Sequence, residues 1–288
     1  MPPKRKESAF ILALSDIHCG HRYGLMNPET VLEAKDEFRN PYEYKPQLNR
    51  IQQYIWKVYT DGIEEVRNLA AGREIIVLVN GDLTTGDKHA DELVSDRMAD
   101  QIIIAKSALS VLMGLPKLKT MRIVKGTGAH NFGFGSSEIL IADFLEEGYK
   151  KISTMISNHY LLNLAGADID VAHHGPTPGS RNWLKGNEAR YYLRSLMMDE
   201  LSAARKPPRM VFRGHYHEMI REDVSVDGYT STIILTPSLT WINDYARQGG
   251  RSPSRITHGM VVCEMYDGEL LRVHKLTKTI DLRTKEVI

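Results

Sequence analysis

At 288 residues, 42% of them hydrophobic and 25% charged, the chain is long enough for one large α/β domain or two small ones, each with a substantial core. Its 37 Lys and Arg against 36 Asp and Glu leave a net charge of +1, which excludes a broad field for gathering nucleic acid or anionic membrane, so any phosphate specificity is local. Cys19 and Cys263 make no disulfide framework, and no apolar run is long enough to span a bilayer, so a soluble protein of the cytoplasm is expected.

In chain order, residues 1–8 read as a flexible basic tail with no apolar segment of their own. FILALSD follows as a strand that is apolar almost throughout, as expected where both faces are covered. Residues 19–45 are polar, carry Pro28 and Pro41, and read as an insertion after that strand with at most one short helix. Helical patterns are expected at about Gln47–Leu69, Asp96–Met113, Ser137–Ile152 and Asn187–Ala204. In the second of these, Met98, Ile102, Ala105, Leu109 and Leu112 form one apolar stripe. The runs EIIVLVNGD, MRIVKG and MVFRGH are further strands between the helices. In the last third, STIILTPSL, THGMVVCEMYDG and ELLRVHKLTK read as antiparallel strands, the last two joined by an Asp-Gly turn. This alternation predicts an α/β layered fold, a single domain over residues 1–288 with two packed sheets.

Five short segments that end or follow apolar runs carry metal-ligand residues: Asp16-Ile17-His18, Gly81-Asp82, Ala129-His130-Asn131, His173-His174-Gly175 and Gly214-His215-Tyr216-His217. Strand alternation would send Asp16 and His18 to one side, and likewise His215 and His217. Several of these segments fall at the carboxyl ends of predicted strands, where open α/β sheets bind ligands. Carboxylate mixed with imidazole suits Mn, Fe, Zn or Co better than Ca or Mg.

The order D-x-H, G-D, a G-x-H-type loop, H-G and G-H-x-H, from Asp16 to His217, resembles the calcineurin-like metallophosphoesterase superfamily. Within it, DIHCG resembles the DNA-repair nuclease branch, and the G-T-x-x-H string resembles phage-type members. The resemblance implies a four-layer αββα sandwich, with two mixed sheets flanked by helices. It also implies a phosphoester hydrolase with two divalent transition-metal ions, Mn foremost and Fe or Zn as alternatives. Carried over motif by motif, Asp16, His18 and His217 would hold the first ion, Asp82 would bridge, and His174 and His215 would hold the second. An activated hydroxide would attack phosphorus while His130 acts as the acid. His173 is expected behind the ligands, orienting one of them through its other ring nitrogen.

One departure concerns the third motif, where the family usually has Gly-Asn-His with the Asn as a ligand. Here VKGTGAHNFG puts Ala129 before His130, and Ala has no ligand atom. Either a water takes that place, or Thr127, Asn131 or another residue such as Glu138 replaces the amide; Thr127 and Asn131 are also candidates for contacting phosphate.

The second motif, GDLTTGDKH, lacks both the continuation typical of protein phosphatases and the Tyr of purple acid phosphatases. A phosphodiesterase or nuclease acting on nucleic acid or nucleotides is therefore the favoured reading. A broad phosphomonoesterase and an inactive scaffold of the same fold are the alternatives. The stretch SRNWLKGNEARYYLR, with Arg181, Lys185, Arg190 and Arg194 among Trp183, Tyr191 and Tyr192, could line a polynucleotide groove. A solvated amphipathic helix with a basic face is the simpler account. The GTG string lacks a following Lys-Ser or Lys-Thr, so it is no nucleotide P-loop. His21, His89, His159, His258 and His274 are expected to be ordinary surface or core residues, and Cys19 a small structural one.

Overall fold

The computed structural model describes residues 7–88, 90–132, 136–179, 182–242, 254–284 and 286; residues 1–6 of the expected tail, His89 and Arg181 lie outside them. The apolar run at the start forms β1 (Ser8–Leu14). Its alternate side chains serve two cores: Phe10, Leu12 and Leu14 join one, Ile11 and Ala13 the other. A strand buried on both faces has no position to spare for a polar residue.

The insertion contains no helix. It opens with buried Leu25 and Met26, then forms the antiparallel hairpin β2 (Leu32–Lys35) and β3 (Pro41–Tyr44). The loop between them is closed by Asn40 N–H donating to Asp36 Oδ1 at 2.8 Å. A helix there would be short and would lack the length that offsets nucleation; the hairpin satisfies its backbone by pairing. Then α1 (Arg50–Ala70), β4 (Ile75–Asn80), α2 (Met98–Met113), β5 (Leu118–Val124), α3 (Ser136–Gly148) and β6 (Ser153–Ser157) alternate. Asn49 starts α1 with a capping box, its side chain accepting from Ile51 and Gln52 N–H while Gln52 reaches back to Asn49 N–H. Last come β7 (His159–Leu164), β8 (Ala167–Ala172), α4 (Asn187–Ser202), β9 (Met210–Arg213), β10 (Ile220–Val226), β11 (Tyr229–Leu235), β12 (Arg255–Tyr266) and β13 (Glu269–Asp281).

Two mixed sheets result, of order β13-β12-β1-β4-β5-β6 and β10-β11-β9-β8-β7. The pairs β1–β4, β4–β5, β5–β6, β8–β9 and β9–β11 are parallel. Ile55, Tyr59, Leu109 and Ile141 of α1 to α3 pack on one face of the first sheet. Between the sheets lie Ile11, Leu78 and Val261 from the first and Ile169, Phe212 and Ile234 from the second. Ala189, Leu193 and Met197 of α4 cover the outer face of the second sheet at Val211, Ile233 and Leu235. The layering is therefore α, β, β, α. Sequence reading missed β2, β3, β6, β7, β8 and β10. The β7–β8 turn, Ala165-Gly166, has positive φ at both residues (51° and 81°), the backbone that Asp267-Gly268 supplies at β12–β13. An Ala is a poor marker for that turn, whereas Asp227-Gly228 between β10 and β11 carries the marker and was passed over.

Because Ile11 is wholly buried between the sheets, Ile11→Ala should cost about 2–5 kcal/mol in denaturant unfolding. Leu161→Ala, at 64% exposure on β7, should stay within about 0.5 kcal/mol. Equal losses in the two variants would contradict this layering.

Candidate metal centre

All five motif segments gather at one rim. Asp16 and His18 follow β1, Asp82 follows β4, Thr127 and His130 follow β5, His173 and His174 follow β8, and His215 and His217 follow β9. In the sheet order β1, β4 and β5 are neighbours in one sheet and β8 and β9 in the other, so five carboxyl ends point at one crevice.

Strand alternation is not what aims the side chains that follow β1, β4 and β9. β1 stops at Leu14 and β9 at Arg213; Asp16, His18, Asp82, His215 and His217 all have left-handed backbone, at φ of 52°, 41°, 54°, 73° and 57°. Such conformations cost roughly 1–3 kcal/mol each in a non-glycine residue and gather where the surrounding structure over-determines them. Two glycines make room. A Cβ on Gly81 would strike His173 Nδ1, and one on Gly126 would strike Asp82 Oδ1 and its backbone nitrogen.

The donor atoms fall into two trios, linked through Asp82 by two further trios, His18-Asp82-His130 and Asp16-Asp82-His173. In the first, Asp16 Oδ1 lies 3.2 Å from His217 Nε2, which lies 3.3 Å from His18 Nε2. In the second, His173, His174 and His215 bring one ring nitrogen each within 4.8 Å of the others. Between them stands Asp82, whose Oδ2 is 3.9 Å from His18 Nε2, 3.1 Å from His173 Nε2 and 3.9 Å from His130 Nε2. Its other oxygen, Oδ1, is engaged by Thr127 N–H at 2.6 Å. The two groups could each hold a metal ion. The mixed oxygen and imidazole donors fit divalent transition metals.

Several of these side chains are oriented from behind. His173 Nδ1–H donates to the Asn80 carbonyl at 2.7 Å and His130 Nδ1–H to the Thr85 carbonyl at 2.8 Å. A carbonyl only accepts, so the proton sits on Nδ1 and leaves Nε2 facing the cluster. His215 N–H donates to both oxygens of Asp16 at 3.2 and 3.1 Å, and Ser15 Oγ–H donates to Asp16 Oδ2. Glu138, fully buried at the start of α3, accepts from Leu83 N–H at 3.2 Å and Gly126 N–H at 2.9 Å, tying the Asp82 loop to the Thr127 loop. Burial raises the Glu138 carboxyl to about 7 against the pull of the Gly126 N–H.

Burial would raise both aspartates, yet His217 holds Asp16 low and His173 holds Asp82 low. His18 is pushed well down by burial and by His130, and burial with the charge of His173 lowers His174 and His215, so these imidazoles are neutral and ready to ligate. His173 is the exception. Burial pulls it down, but the Asp82 carboxylate more than compensates and raises it to about 9.

His173, expected behind the ligands, is buried beside Asp82 within the donor cluster, and its neighbour His174 is the exposed member of their trio. Alternation along β8 was the overlooked signal: His173 shares parity with Ile169 and Val171, which face the inter-sheet core. Asn131 is turned away, its amide donating to Thr127 O and its oxygen accepting from Ser137. Both ends of its amide are thus engaged within its own loop and the start of α3. Glu138 is likewise engaged by backbone, one N–H on each carboxylate oxygen. Near α4, Lys185 pairs with Glu218 and Arg190 with Glu222, which removes charge from the stretch that could have tracked a polynucleotide. Trp183 and Tyr191 remain exposed there. Elsewhere His21, His159 and His274 pair with Glu92, Asp170 and Glu264, and His258 stacks on Trp241. Burial raises the Cys19 thiol, so it offers no thiolate nucleophile.

No family model matches the chain, and no curated protein matches it. Among solved structures, a Thermotoga maritima protein determined by solution NMR is 14% identical with a TM-score of 0.36, over 94% of this chain and 99% of that one. The sulfate thiohydrolase SoxB of Thermus thermophilus, in complex with glycerol, is 12% identical with a TM-score of 0.38, over 98% of this chain and 57% of SoxB. A metallophosphoesterase from Sphaerobacter thermophilus is 14% identical with a TM-score of 0.31, over 89% of this chain and 83% of that one. At such identities and scores, what the site does must be argued from its own geometry.

With His173 raised to about 9, its imidazole is protonated at pH 7 in the metal-free chain, and an ion taking Nε2 must displace that proton. Mn²⁺ binding should therefore release protons at pH 7, giving calorimetric heats that vary with buffer ionisation enthalpy, and the apparent affinity should climb with pH toward 9. A heat independent of buffer at pH 7 would contradict this.

Proposed function

We propose that the chain is a dinuclear metal-dependent phosphoester hydrolase with manganese as its working ion, acting on phosphodiesters of nucleic acids or nucleotides. The observation that carries the reading is Asp82 Oδ2, which faces His18 of one ligand group and His173 of the other while His130 stands 3.9 Å away. A carboxylate shared in this way is what two neighbouring cations require, and a structural ion pair would need neither trio of further donors. Asp16, His18 and His217 would hold one ion; His173, His174 and His215 would hold the other. Bound there, the pair would supply Lewis acidity toward a phosphoryl group and activate water for in-line attack.

The protein's own part is positional and protonic. Thr127 N–H holds Oδ1 of Asp82 so that Oδ2 is the oxygen turned to both groups. His130, fixed through Nδ1 on the Thr85 carbonyl, keeps Nε2 directed at the crevice, where it can carry a proton to the leaving oxygen. Preference for a diester rests on the second motif, which lacks the hallmarks of the protein and purple acid phosphatases, and on the nuclease-like opening DIHCG. No helix among the described residues is long and apolar enough to cross a membrane, and Cys19 and Cys263 are free and buried; cytoplasmic residence is the setting these features support.

With Mn²⁺, bis-p-nitrophenyl phosphate should be hydrolysed faster than p-nitrophenyl phosphate; the opposite order would indicate a monoesterase, and no turnover of either an inactive scaffold. His130→Asn should lose about 10²-fold or more in turnover and keep its metal, whereas Asp82→Asn should lose metal as well. A metal-depleted His130→Asn alongside a fully loaded Asp82→Asn would reverse the roles assigned here.

A further inference from the structure

We propose that the hydroxyl of Thr127 is an oxygen ligand of the ion held by His173, His174 and His215, an inference that rests on the metal-hydrolase reading above. Thr127 Oγ1 lies 3.3 Å from Asp82 Oδ2, 3.4 Å from His173 Nε2, 3.5 Å from His174 Nε2 and 3.2 Å from His215 Nδ1. A hydroxyl has one proton to give and two lone pairs, so it cannot serve four such neighbours by hydrogen bonding alone. The spacing is that of atoms sharing a coordination shell. Donors about 2.1 Å from one ion stand about 3.0 Å apart at octahedral corners and about 3.4 Å apart at tetrahedral ones.

Among the described side chains of this loop, the Thr127 hydroxyl is the oxygen that lies against all three imidazoles. Ala129 has none in its side chain, Asn131 bonds Thr127 O and Ser137, and Glu138 holds the Leu83 and Gly126 amides. Thr127 is placed by its own backbone, since its N–H on Asp82 Oδ1 at 2.6 Å sets the hydroxyl beside Oδ2 of the same carboxylate. The pockets then differ in charge. The one built on Asp16 has a carboxylate of its own besides Asp82, whereas the trio beside Thr127 has none of its own and meets Asp16 only at 4.0 Å, from His173 Nε2 to Oδ1, so its ion is the weaker bound of the two.

Mn²⁺ titrated into the metal-free full chain, followed by calorimetry and by elemental analysis after dialysis, tests this without any turnover assay. The unaltered chain should take up two ions of unequal affinity. Thr127→Val, which keeps the shape and removes the oxygen, should retain the tighter ion and weaken the other by roughly tenfold or more, while Thr127→Ser stays within about threefold of the unaltered chain. Two ions bound by Thr127→Val at unchanged affinity would overturn the assignment and leave the hydroxyl as a contact for substrate. Equal loss of both ions in that variant would also overturn it, making Thr127 a brace for the Asp82 loop. Fewer than two ions in the unaltered chain would instead bring down the dinuclear reading itself.

Discussion

Asp82 is the hinge of the molecule's chemistry, because one of its carboxylate oxygens is immobilised by Thr127 N–H at 2.6 Å and the other is thereby turned toward His18, His130 and His173. A carboxylate free to rotate would satisfy either ligand group but not both at once. The loop that immobilises it comes from the neighbouring parallel strand, β5, and closes on Asp82 only because Gly126 has no Cβ to meet that side chain. Glu138 ties the same two loops through its buried carboxylate, so the backbone on either side of Asp82 is fixed. Removing a negative charge from this site would leave the buried imidazolium of His173 without its closest partner, an uncompensated charge in a dry setting.

The left-handed backbone at Asp16, His18, Asp82, His215 and His217 follows from the same requirement. Each strand runs straight into the rim, and its next residues must turn at once if their side chains are to converge rather than fan out. The energy that offsets this comes from the layers beneath. β1 and β4 contribute Leu12, Leu14, Val77 and Val79 to one core and Ile11, Ala13 and Leu78 to the other, so the strand ends cannot relax without disturbing both.

The second sheet is fixed as firmly. Arg213, fully buried just before Gly214-His215, forms an ion pair with Asp170 of β8 at 2.6 Å, and its guanidinium donates to the Tyr192 hydroxyl of α4 at 2.9 Å. A side chain on Gly175 would collide with the Arg213 stem, so the loop bearing His173 and His174 lies directly on it. Tyr192 of α4 is thus linked through Arg213 to the loops that bear His173, His174 and His215. This gives the basic and aromatic helix face a structural use, consistent with Lys185 and Arg190 being paired with Glu218 and Glu222.

Much of this was legible in the residues themselves. The apolar run of β1, the stripe of α2 and the Asp-Gly turn before β13 are local signals, since periodicity and turn chemistry are properties of neighbouring residues. Motif order likewise picked out Asp16, His18, Asp82, His174, His215 and His217, which the fold gathers at one rim. Other features are decided by partners remote in the chain. That His173 and not only His174 stands among the donors depends on which face of β8 meets the first sheet, and β8 was not recognised as a strand. That Asn131 turns away while Thr127 turns in depends on Ser137 and Asp82, 6 and 45 residues distant in sequence. Sequence alone determined which residue types were present and at what local spacing. Only tertiary structure decided which atoms of those residues meet, because convergence is set by sheet order and loop packing, and those are summed over the whole chain.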